Sequence, residues 1–144
     1  MAEQAVRSLR LPPTARSTTQ ARRFVLSALS EWDLDALRDT AALLTSEVVT
    51  NSVLHARTDI DVTVTRLDGG VAIEVSDGSR RAPVRRVQVD EATTGRGVEL
   101  LQQLAAQWDV TLRDDGKTVR FTLSEGVDPW AAYTSSEWIN GSQP

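Results

Sequence analysis

The sequence predicts an α+β fold: a two-layer α/β sandwich with helices on one face of a mixed, mostly antiparallel sheet. Three observations lead there. Ala21 to Leu29 and Leu37 to Ser52 repeat apolar residues at helical spacing. Two pairs of alternating segments surround the turns Asp68-Gly69-Gly70 and Asp114-Asp115-Gly116, as hairpins do. The resulting order, β-α-α-β-β-loop-α-β-β, groups helices on one sheet face and does not alternate them with parallel strands. At 144 residues the chain is expected to form one domain, residues 17–124. A strand and turn (1–16) precede it and a tail (125–144) follows.

Each element has its own signal. Val6, Leu9 and Leu11 read as an edge strand that Pro12-Pro13 stops. Ala21, Phe24, Val25, Ala28 and Leu29 define a first helix, with Thr18 or Thr19 as its cap and an end between Ser30 and Asp33. A longer helix is predicted from about Leu34 to His55, with Asp33 as N-cap. Its core stripe is Leu37, Ala41, Leu44, Val48 and Ser52, widened by Ala42 and Val49. Glu47, Asn51 and His55, four apart, share another face.

Beyond it, Ile60, Val62 and Val64 alternate with Asp61, Thr63 and Thr65, and Val71, Ile73 and Val75 continue the apolar side. Parity puts Asp77 on that side too, where a carboxylate needs a donor waiting for it. Residues 78–94 lack periodicity; a loop of about 17 residues has the length of a functional lid or a disordered segment. Gly95-Arg96-Gly97 opens a third helix that turns Val98, Leu101, Leu104, Ala105 and Trp108 inward. Trp108, Val110 and Leu112, then Val119, Phe121 and Leu123, give the last two strands, and Trp130, Tyr133 and Trp138 mark the tail.

Composition excludes several classes. There is no cysteine, hence no disulfide, thiol catalysis or thiolate metal site, and a single histidine builds no His-rich metal centre. Apolar runs fall far short of the ~18 residues of a membrane span, and Met1 to Ser17 lacks the apolar core of a secretory signal. A cytoplasmic domain is expected. The net charge of −4 is wrong for a duplex-DNA binder without a basic patch. Yet from Gly78 to Arg96 five arginines face only Asp90 and Glu91, a local +3. That segment calls for an anion.

Three constellations carry chemistry. Glu47 and Asn51 are either part of a solvated helix face or a proton-accepting carboxylate beside an amide oxygen that ligates a hard cation. Asp77 either caps the turn Asp77-Gly78-Ser79 or is a buried acceptor for an exocyclic amino group such as that of adenine. Gly95 and Gly97, around Arg96 at a helix start, let the backbone approach phosphate; with the basic loop before them they form an anion site. Gly116-Lys117-Thr118 imitates a phosphate-binding loop, but the earlier glycine falls on Thr111 and strands surround it.

The stretches Leu44-Thr45-Ser46-Glu47-Val48-Val49-Thr50-Asn51-Ser52-Val53-Leu54-His55-Ala56, Thr94-Gly95-Arg96-Gly97-Val98-Glu99-Leu100-Leu101 and Gly116-Lys117-Thr118-Val119-Arg120-Phe121, in this order, resemble the GHKL superfamily of ATP-binding domains. Within it they are most similar to the stand-alone anti-sigma-factor serine/threonine kinases and related regulators. The resemblance implies the Bergerat-type ATP-binding fold, with ATP and Mg²⁺ bound. Asn51 then matches the magnesium ligand, Glu47 the general base, and Asp77 the acceptor of the adenine amino group. Gly95 and Gly97 match the phosphate-loop glycines, Arg96 a γ-phosphate contact and Thr118 an adenine-side hydroxyl. The chain departs from the family in two places: the Asp77 motif keeps only the adjacent Gly78, and Lys117 stands where relatives commonly carry Thr.

The activity so implied is phosphorylation of an anti-sigma-factor antagonist protein, with sequestration of a sigma factor when the antagonist is absent. A homodimer is possible by the same resemblance; direct nucleic-acid or membrane binding is not expected. The alternative is an ATP-binding regulatory switch that clamps a protein partner without phosphoryl transfer.

Overall fold

The computed structural model describes residues 5–79 and 99–126. The strands are β1 (Val6–Leu11), β2 (Ile60–Leu67), β3 (Gly70–Asp77), β4 (Gln107–Arg113) and β5 (Gly116–Ser124). The long helices are α1 (Arg16–Glu31) and α2 (Arg38–His55), with a 3₁₀ turn, Asp35–Leu37, leading into α2. The strands form one sheet in the order β1-β2-β3-β5-β4. The four described pairings are all antiparallel. Tight turns join β2 to β3 and β4 to β5 and impose that direction; Gly69, at φ 74°, supplies the left-handed residue of the first turn.

The sheet is two-faced because its strands alternate. Ile60, Val62 and Val64 on β2, Val71, Ile73 and Val75 on β3, and Val119, Phe121 and Leu123 on β5 are buried together. The register stacks them in rows, with Val64 opposite Ile73 and Ile73 opposite Phe121. Ala21, Val25, Ala28 and Leu29 of α1 and Ala41, Leu44, Val48 and Val49 of α2 complete this core, joined by Leu101 and Leu104 from helical residues 99–104. Each buried Val, Leu, Ile or Phe contributes roughly 1.5–3 kcal/mol of transfer free energy. The other sheet face is polar; Arg10 pairs with Asp61 across β1 and β2, and Arg120 with Glu74 across β5 and β3. Arg7 reaches Glu31 at 2.7 Å and covers the Trp32 ring, tying the edge strand β1 to the end of α1.

The helix ends differ from the sequence expectation. Helix α1 begins at Arg16, so Thr18 and Thr19 lie inside it and do not cap it; the N–H of Ser17 donates to the Thr14 carbonyl. Asp33 is not the N-cap of α2. It is left-handed, at φ 58°, and closes α1. Its N–H donates to the Ser30 carbonyl, and the Leu34 N–H donates to the Leu29 carbonyl. This is a Schellman motif, completed by the buried apolar pair Leu29 and Leu34. The third helix ends before Trp108, which belongs to β4. Leu112, one of the alternating apolar residues of that edge strand, is exposed near its end. Among the described residues no helix is long and apolar enough to cross a membrane.

Candidate functional site

The C-terminal half of α2 packs over the sheet near the end of β3, where β5 begins. One helical turn separates Glu47 from Asn51, and both are buried, at 8% and 9% exposure, while His55 one turn further is exposed. A solvated face is therefore excluded for the first two. The Asn51 Oδ1 atom is fully enclosed and has no hydrogen-bond partner among the described residues. A buried carbonyl oxygen without a donor is costly, of order 1–3 kcal/mol, and such a group in a folded protein calls for a partner.

Asp77 lies at the end of β3 with its side chain wholly buried. The Ser52 hydroxyl donates to Oδ2 at 2.5 Å, and the Lys117 ammonium donates to the same oxygen at 2.7 Å. The Ser79 N–H donates to Oδ1 at 2.8 Å. The turn-capping reading of Asp77 is realised through Oδ1, and the donors that a buried carboxylate needs are Ser52 and Lys117 on Oδ2. Lys117 arrives there by register, as the direct partner of Asp77 across β3 and β5. Gly116 makes the approach feasible, because a Cβ on it would lie 2.0 Å from the Asp77 carbonyl oxygen.

Thr118 is placed elsewhere. Strand periodicity turns it to the polar outer face, where its hydroxyl pairs with Ser76 at 2.7 Å and accepts from Arg113. It does not face Asp77; the side chain on that face is Lys117. Gly95, Arg96 and Gly97 lie outside the described residues. An open cleft of about 210 Å³ is lined by Arg10, Thr58, Asp61, Ser76 and Arg113 together with Asp77 and Gly78, and it includes neither Glu47 nor Asn51. Its Arg10 is already paired with Asp61, whose hydrogen bond and charge raise the guanidinium pKa further.

Two residues of the site escape sequence reasoning. Ser52 reads as part of the apolar stripe, and its hydroxyl shows its use only when β3 is laid beneath α2. Lys117 is the sole lysine of the chain. The sequence holds one signal for it: on an antiparallel partner strand an inward acid selects an inward base at equal distance from the core rows.

A helix that carries a buried amide oxygen and carboxylate, and that bonds through Ser52 to a strand-end aspartate on one face of an antiparallel sheet, defines a two-layer α/β sandwich. Residues 11–123 match the histidine kinase-like ATPase domain family, and the chain belongs to that family. This places it in the GHKL type of ATP-binding domains. No individual curated protein matches the chain. Such domains bind ATP, usually with Mg²⁺, and the residues present fit the ion: Oδ1 of Asn51 is an uncommitted hard oxygen. The described residues hold no cluster of three or more His, Cys, Asp or Glu side chains for a metal. Mg²⁺ often takes few protein ligands and completes its shell with phosphate and water.

Proposed function

We propose that the chain is an ATP-dependent serine/threonine protein kinase of the anti-sigma-factor type. It phosphorylates an antagonist protein and sequesters a sigma factor when that antagonist is absent. The observation that carries this reading is the enclosed Oδ1 of Asn51, without a hydrogen-bond partner among the described residues, one helical turn from the buried carboxylate of Glu47. Asn51 would hold Mg²⁺, and the bound ion supplies neutralisation of phosphate charge. Asp77 accepts from the adenine amino group, while Gly95, Arg96 and Gly97 serve the phosphates by resemblance. The antagonist's Ser or Thr hydroxyl oxygen bonds to the γ-phosphorus as the bond from that phosphorus to the β-γ bridging oxygen breaks. ADP leaves and Glu47 takes the hydroxyl proton. Catalysis of this kind is mainly positioning and charge balance.

The test is incubation with radiolabelled ATP and the antagonist. Wild-type protein is expected to transfer label, and Glu47→Ala to bind ATP with unchanged affinity while transferring none. Undiminished transfer by Glu47→Ala removes the base assignment. A second reading, the non-catalytic switch, is favoured by the single glycine after Asp77. It predicts ATP binding and partner capture with no label transferred by the wild type.

A further inference from the structure

Among the described residues, the hydrogen-bond inventory of the buried Asp77–Lys117 pair is incomplete on both sides. The Lys117 side chain is 6% exposed, and among the described residues its ammonium has one acceptor, Asp77 Oδ2. An ammonium carries three donors, so two have no acceptor among the described residues. A carboxylate offers about four acceptor sites. Ser52, Lys117 and the Ser79 N–H fill three of these, and the site left over is on Oδ1. The pair therefore presents an unused acceptor beside unused donors. A ligand edge that satisfies both has a donor next to an acceptor. In adenine the amino group is such a donor, flanked by the ring acceptors N1 and N7. Guanine placed the same way sets its O6 against the carboxylate.

We propose that Lys117 is a base-reading residue: anchored on Asp77 Oδ2, it donates to a ring nitrogen of adenine while the adenine amino group donates to Asp77 Oδ1. This rests on the ATP-binding reading above and extends it, since that reading gives the base to Asp77 alone. The bond from Lys117 is charge-assisted, which places its loss in the range of roughly tenfold or more in affinity.

The test needs no variant at first. Calorimetry on the wild-type protein with Mg²⁺ compares ATP, 1-deaza-ATP and 7-deaza-ATP. One deaza analogue is expected to bind roughly tenfold or more weakly than ATP, and which one identifies the nitrogen. In Lys117→Thr that difference should vanish. Because Lys117 is the sole lysine, protein labelled with ¹⁵N-lysine gives one side-chain ammonium signal. It should move with ATP and stay near its free position with the weak analogue. Equal affinity for all three nucleotides overturns the proposal and leaves Lys117 as a tie for Asp77, with ATP binding intact. Absence of ATP binding instead overturns the nucleotide reading, and this inference falls with it.

Discussion

Asn51 spends interior space on a carbonyl oxygen that nothing described satisfies. Replacing it with Leu removes an uncompensated polar group, so Asn51→Leu should leave stability equal or raise it by up to ~1–3 kcal/mol in urea denaturation. The same variant should lose Mg²⁺-dependent ATP binding by calorimetry, an exchange of stability for function that ligand sites often show. A loss of stability would mean that Oδ1 has a structural partner. Lys117 behaves oppositely. Lys117→Met strands a buried carboxylate and should cost roughly 3–5 kcal/mol, whereas the double variant Lys117→Met/Asp77→Asn should recover a large part of that loss. A double-mutant cycle in urea measures it. The need for a donor at Asp77 was legible from strand parity, and the spacing of Glu47 and Asn51 from helix geometry. The donor's identity was not. Asp77 and Lys117 are 40 residues apart, and their pairing depends on the β3–β5 register, which no local pattern encodes. Thr118 was expected on the adenine side by resemblance alone, whereas the alternation of Val119, Phe121 and Leu123 turns it outward and Lys117 inward.

At the scale of elements, Asp33 occupies the left-handed position that closes α1, at φ 58°. Glycine takes that conformation without a Cβ penalty, so Asp33→Gly should stabilise the protein by roughly 0.5–1 kcal/mol, read as a rise in Tm. A fall in Tm would show that the Asp33 side chain contributes more than its backbone costs. Gly116 is the converse. Gly116→Ala puts a methyl against the Asp77 backbone, which must separate β3 from β5 at the Lys117 pairing and should cost at least about 1–3 kcal/mol. The helices and strands themselves were legible because periods of 3.6 and 2 are long-range within each segment. Their ends were not. A Ser, Thr or Asp near a boundary is compatible with several roles, and at Asp33 the buried pair of Leu29 and Leu34 selects helix closure over helix initiation.

The whole molecule places its site where the two layers meet, so ligand binding and global stability are linked. Helix α2 is buried along much of its length and carries Thr45, Glu47, Asn51 and Ser52 into the interior. Of these, the Asn51 Oδ1 atom has no hydrogen-bond partner among the described residues, and a ligand that satisfies it stabilises the native state alone. With ATP and Mg²⁺ at about a hundred times the dissociation constant, the gain is ~2.7 kcal/mol. For a domain of this size that raises Tm by roughly 5–10 °C. ATP with a chelator should give a smaller rise, and Asn51→Leu should show that same smaller rise whether or not Mg²⁺ is present. Thermal unfolding followed by circular dichroism reads all four conditions. The informative result is the difference between them: if Mg²⁺ adds equally to the Tm of wild type and of Asn51→Leu, the ion is held without this amide, and Asn51 loses its place in the site.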